Sequence, residues 1–152
     1  LPQPDGPNPM AEGAARRRAS FPSFDAALEN FASKPPLNEL HRDALRCYVM
    51  GGFAQLGDGS VTLRCRPLTE AAVFQGAFDS GAWAASASLD LPIAVVAGRD
   101  ESFGPVSFAG PLVHHLPRAT LVERRHLGHF GPLENPTTMA ADVAAWIEST
   151  SS

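Results

Sequence analysis

The chain of 152 residues has only two cysteines, Cys47 and Cys65, and a single tyrosine, Tyr48. Two cysteines are too few for a disulfide-stapled scaffold, and their spacing is not the C-x-x-C of a metal or redox pair. Both read as buried thiols. An excess of positive charge is also lacking: 12 Lys and Arg against 16 Asp and Glu leave a formal net charge of −4. Phosphate backbones and anionic membrane surfaces are held by basic patches, so neither nucleic acid nor a membrane is expected as a partner. No apolar run approaches the roughly 18 residues of a membrane span, and the start lacks the charged-then-apolar layout of a signal peptide. The expectation is a soluble, cytoplasmic protein with no cofactor. The first residue is Leu1 rather than Met, which fits a chain that has lost its beginning.

What is present suffices for one ordinary core, at 44% hydrophobic residues. Residues 1–20 open with prolines at 2, 4, 7 and 9 and read as a flexible linker. Residues 11–19 can begin a helix, and Arg16-Arg17-Arg18 reads as a solvated charge run. Phe24, Ala27, Leu28 and Phe31 recur at i, i+3, i+4, i+7, which predicts a helix capped by Ser23 and ended by Pro35-Pro36. A second helix is expected over residues 38–53, a turn at 56–59, and a half-buried strand over 60–65, where Val61 and Leu63 alternate with Thr62 and Arg64. A short helix capped by Thr69 follows.

Residues 93–97 form a continuous apolar run closed by Gly98, the pattern of a strand buried on both faces. Asp100 and Glu101 come directly after it. Acids just past the carboxyl end of a parallel strand lie where open α/β sheets place their chemistry. A helix-length piece over 106–115 is interrupted at Gly110-Pro111, so a kink is expected there. A second strand pattern at 120–123 leads into Gly128-His129-Phe130-Gly131-Pro132. A closing helix over 136–149 carries Met139, Val143, Trp146 and Ile147 as one stripe, with Trp146 expected in the core. His41, His114, His115 and His126 read as ordinary surface residues. The adjacent pair His114-His115 points two ways and lacks a third ligand, so no metal is expected.

An acid after one strand and a histidine after the next, followed by Gly-His-Phe, a Glu-x-Pro at 134–136 and a last amphipathic helix, resembles the back half of the α/β-hydrolase fold. The resemblance covers most of residues 20–148. It implies an α/β architecture, an incomplete α/β-hydrolase fold: a helical cap at 21–66, then the last two parallel strands and flanking helices at 67–149, and a tail at 150–152. It also implies that His129 is the general base and that a carboxylate orients its imidazole. Glu101, in a Gly-x-x-acid spacing from Gly98, is slightly favoured over Asp100. In such a fold the cap roofs the pocket for an ester-like small molecule, which makes Phe53, Tyr48 and, beside the histidine, Phe130 the expected substrate contacts.

The departure is the nucleophile, because no G-x-S-x-G occurs in the chain. The single tyrosine disfavours epoxide hydrolysis, and neither Trp83 nor Trp146 falls in the cap segment, which disfavours dehalogenation. Within the family resembled, a serine esterase or related acyl hydrolase is left, cleaving an ester, an amide or a C–C bond, inactive alone and completed by a missing N-terminal half. The alternative is a non-catalytic interaction or binding module derived from the same fold.

Overall fold

The structure is a computed structural model that describes residues 8–77, 81–99 and 105–150. The chain divides into two compact units, Leu1–Asn38 with Arg42–Trp83, and Glu39–His41 with Ala84–Ser152.

The first unit begins with α1 (Pro9–Ala15), so the expected linker is built into the fold from Asn8 onward. Asn8 caps this helix by accepting from the amides of Met10 and Ala11, and its own side-chain amide donates to the Phe74 carbonyl. The arginine run is not merely solvated either. Arg17 forms a two-pronged pair with Glu70 at 2.9 Å, and the Arg18 guanidinium lies 4.2 Å from the Phe21 ring centroid. Next come β1 (Ser20–Phe21) and α2 (Phe24–Ala32), whose Ser23 hydroxyl accepts from the Ala26 amide as the sequence pattern required. A single 3-10 turn at Leu37–Glu39 precedes α3 (Arg42–Gly52).

Phe53 then begins β2 (Phe53–Gln55) instead of ending the helix, and β3 (Val61–Leu63) pairs antiparallel with both β2 and β1. The reversal between β2 and β3 uses Gly59 at φ 88°, a left-handed geometry open to glycine, and the Asp58 carboxylate accepts from the Ser60 amide and hydroxyl. Those bonds from Ser60 hold the Asp58 carboxyl below its ordinary range. The core of this unit is Phe21, Ala27, Val49, Phe53 and Val61, with Phe24, Leu28, Phe31, Tyr48 and Leu63 packed against it. Phe21 meets Phe53 edge-on at 5.6 Å, and Phe31 meets Tyr48 edge-on at 5.7 Å. Burying an aromatic side chain of this size stabilises by about 1.5–3 kcal/mol. The aromatic positions of α2 and α3 are therefore the unit's own core.

Helix α4 (Pro67–Gln75) starts two residues ahead of the expected Thr69 cap, because Pro67 takes the first helical position where a missing amide costs nothing. It packs along α1, burying Ala11 and Ala14. The short α5 (Ala82–Ser86) follows. Both cysteines are exposed, contrary to their expected burial. Cys47 lies on the outward face of α3, and Cys65 follows β3 where the chain has left the core.

The second unit is built on β4 (Ile93–Ala97) and β5 (Ala119–Glu123), which pair in parallel with Val95 opposite Leu121 and Ala97 opposite Glu123. Between them a 3-10 turn at Pro105–Phe108 hands over to α6 (Ala109–His115). The kink expected at Gly110-Pro111 is realised as that handover. Pro111 falls in the first turn of α6, where its absent amide would have had no helical partner. The one-turn helix α7 (Gly131–Glu134) and the long α8 (Pro136–Thr150) complete the chain. Of the predicted stripe on α8 only Met139 is buried. Trp146 is half-buried rather than core, and Val143 and Ile147 are 54% and 56% exposed. Periodicity shows that a helix has an apolar face, not that a partner lies against it.

Candidate active site

Strands β4 and β5 run in parallel, so their carboxyl ends lie on the same side of the sheet, and the segments that follow them meet there. The Arg124 amide donates to the Ala97 carbonyl and the Arg99 amide to the Leu127 carbonyl, each at 2.7 Å. Two glycines make this approach possible. A Cβ on Gly98 would lie 2.5 Å from the Gly128 oxygen and 2.8 Å from the Leu127 oxygen, both backbone atoms that cannot swing aside. A Cβ on Gly128 would lie 2.7 Å from Glu134 Oε1 and 2.9 Å from Arg99 Nη2. The glycine that follows the strand is thus required by packing, whereas a side chain at Gly128 would displace the ends of the Glu134 and Arg99 side chains.

His129 sits at the tip of this turn between the buried Gly128 and the half-buried Phe130. Its imidazole is exposed and tilts against the Phe130 ring at 4.8 Å between centroids. Its backbone is fixed on both sides by one carboxylate: Glu134 accepts from the Gly128 amide at 2.7 Å and from the Phe130 amide at 3.2 Å. The Leu133 and Glu134 amides donate back to the Phe130 carbonyl at 2.7 and 2.9 Å. The imidazole is accordingly presented to solvent between two neighbours whose amides are both hydrogen-bonded.

A second device anchors the base of the turn. Arg124, the first residue after β5, grips Asp142 of α8 through Nε at 2.5 Å and Nη2 at 2.6 Å. The hydrogen bonds from Arg124 hold the Asp142 carboxyl below its usual range, and those to Asp142 push the Arg124 guanidinium up. A pocket of about 340 Å³ adjoins the turn, with apolar walls from Val95, Phe108, Leu112, Leu127 and Met139 and with His129 at its edge.

The expected acids, Asp100 and Glu101, lie outside the described residues. Of the expected substrate contacts, Phe130 lies against His129. Phe53, expected at a helix end with access to ligand, is in β2 with 0% exposure and serves the first unit's core. Tyr48 is half-buried in the same aromatic cluster. Among the described residues no three His, Cys, Asp or Glu side chains gather as a metal site, and no helix is long and apolar enough to cross a membrane. Sequence reasoning gave no role to Glu134 or to the Arg124 and Asp142 pair. Glu134 had a usable signal in its i+4 spacing from Phe130, while a pair separated by 18 positions had none.

No protein-family model and no curated protein matches the chain. Solved structures do. The fold is similar to that of E-2-(acetamidomethylene)succinate hydrolase, with a TM-score of 0.72 at 16% identity, over 91% of this chain and 52% of that one. It is also similar to an esterase from Mycobacterium tuberculosis, with a TM-score of 0.61 at 21% identity, over 91% of this chain and 46% of the esterase. A second structure of that esterase gives a TM-score of 0.62 at 20% identity and 48% of its length. The chain therefore has part of an α/β-hydrolase fold and spans about half the length of the solved chains it matches.

Proposed function

We propose that this chain is the histidine-bearing part of a serine ester or acyl hydrolase of the α/β-hydrolase fold, with the attacking serine supplied by a polypeptide outside this sequence. The observation that carries the reading is the placement of His129 on a clamped, glycine-flanked turn at the shared carboxyl end of two parallel strands, with the chain's paired acids following the other strand. In this reading His129 takes the proton of the serine hydroxyl as the serine attacks the carbonyl carbon. It returns that proton to the leaving alcohol and then activates the water that cleaves the acyl-enzyme. Glu101, or Asp100 beside it, accepts the imidazole Nδ1 hydrogen and offsets the charge that develops on the ring. The apolar pocket next to His129 and the Phe130 ring favour an apolar acyl or alcohol group there.

The test is reconstitution with the in-frame upstream polypeptide, or with the serine-bearing half of a related hydrolase, read out on a short-chain aryl ester. Activity is expected only in the reconstituted protein, and His129→Ala should abolish it. Turnover by the isolated chain that is lost in His129→Ala would overturn the assignment of the nucleophile to another polypeptide.

The exposed Val143 and Ile147 on α8 favour a second reading, a non-catalytic interaction module derived from this fold. An upstream coding sequence without a G-x-S-x-G would select it.

A further inference from the structure

Glu39, Leu40 and His41 sit in the sequence between α2 and α3 of the first unit, yet they cluster with the second. Each of the three makes its own attachment there. The Glu39 carboxylate pairs with Arg99 Nη2, Leu40 is buried, and the His41 amide donates to the Leu133 carbonyl at 2.8 Å. The Glu39 and His41 attachments lie beside the turn that carries His129. Leu133 is the neighbour of Glu134, whose two oxygens hold the amides on either side of His129. Arg99 Nη2 approaches the same point over Gly128 as Glu134 Oε1, and its backbone amide holds the Leu127 carbonyl.

We infer that Glu39–His41 and Arg99 are positioning residues for His129, acting through the Glu134 clasp, so that the segment joining α2 to α3 sets the orientation of the imidazole. The inference deepens the hydrolase reading and rests on His129 being its base. The Glu39 and Arg99 side chains are 40% and 38% exposed. An ion pair that open to water contributes about 0–1 kcal/mol, too little to explain the contact as a stability device. What the pair adds is a contact that ties the Glu39 segment to a guanidinium lying beside Gly128. The clasp is a different kind of contact, because a carboxylate that accepts two amides leaves both without partners when it is removed.

The experiment uses the full chain and needs no activity. Amide hydrogen exchange at Gly128 and Phe130 and the ring ¹⁵N shifts of His129 are measured by NMR, alongside the thermal midpoint, in the parent and in Glu134→Gln, Glu39→Gln, Arg99→Lys and the control Glu123→Gln. Glu134→Gln keeps one acceptor oxygen of two and should speed exchange at one of the two amides by about tenfold, the equivalent of one lost charged hydrogen bond. Glu39→Gln should speed exchange at both amides by a few-fold and move the His129 ring shifts, with the thermal midpoint unchanged. Arg99→Lys, which keeps the charge but not the fork, should fall between Glu39→Gln and the parent. Glu123→Gln, which breaks the exposed pair with Arg125, should change none of these. The inference is overturned if Glu39→Gln leaves the amides and the ring at parent values. It is overturned equally if Glu39→Gln lowers the midpoint and speeds exchange throughout the unit, which is packing alone. Failure of the hydrolase reading would be seen separately, as a reconstituted enzyme whose turnover survives His129→Ala.

Discussion

Replacing Gly98 with alanine tests whether the His129 turn is held against the end of β4 as closely as the geometry states. The new methyl would sit 2.5 Å from the Gly128 oxygen, 2.8 Å from the Leu127 oxygen and 3.0 Å from the Gly128 carbonyl carbon. All three are backbone atoms, so relief requires the turn to retreat from the strand. Forcing a methyl into a packed site costs about 1–3 kcal/mol. The retreat also lengthens the bond from the Arg99 amide to the Leu127 carbonyl, now 2.7 Å, at a further cost of about 0.5–1.5 kcal/mol. The expected destabilisation of the second unit is therefore about 2–4 kcal/mol. Urea denaturation in a Trp83→Phe background leaves Trp146 on α8 as the fluorescent reporter of that unit. Gly110→Ala is the matched control: no atom lies within 4 Å of its added methyl, and alanine favours a helix over glycine by about 1 kcal/mol, so it should be neutral or stabilising. A Gly98→Ala midpoint equal to the parent's would refute the argument, since the turn would then have room that the structure denies it.

Phe53→Ala should cost about 3–5 kcal/mol by opening a cavity in the first unit's core. Leu68→Ser, at a side chain 74% exposed, should stay within about 0.5 kcal/mol, as denaturation curves of the two will show. The lowered Asp142 carboxyl gives stability that is complete above the unfolded aspartate value and lost as pH falls through the still lower folded value. Thermal midpoints should accordingly drop on acidification below about pH 4, and Asp142→Asn should flatten that acid limb. An unchanged limb would assign the acid transition to other carboxylates. In the reconstituted enzyme Glu101→Gln should lower turnover by on the order of 10⁴, while Asp100→Asn leaves it within a few-fold; the reverse ranking would move the orienting role to Asp100.

The elements that sequence alone made legible are those fixed locally. Ser23 and the apolar positions of α2 specify that helix within one turn of chain, and Pro136 marks the start of α8. The apolar run 93–97 is legible as a strand, but the burial on both faces that its composition implied is not found: Val95 and Ala97 are buried while Val96 is 44% exposed, because apolar composition does not say which face is covered. The two-residue β1 was not legible, since Ser20 and Phe21 become a strand only by pairing with Thr62 and Val61 some forty positions away. A still longer separation, 53 positions, hid the partner of Arg17 and made a paired side chain read as a solvated one. At the candidate site His129 stood out by its glycine flanks. The carboxylate that clamps it did not, because a glutamate before a proline-led helix reads equally well as a charge near a helix end.

The division of the chain into two units also limits how its parts can be exchanged. The second unit is not one continuous stretch of coding sequence, because Glu39–His41 belongs to it and lies within the span of the first. A gene piece that begins at Ala84 would leave out the buried Leu40 and the amide that holds Leu133. Conversely, a foreign cassette replacing residues 21–65 would carry its own tripeptide to the positions where Glu39 pairs with Arg99 and Leu40 is buried. Recombination between related chains would therefore preserve these attachments where its breakpoints spare residues 39–41. A grafted helical segment that keeps this tripeptide from the recipient should outperform one that is transplanted whole.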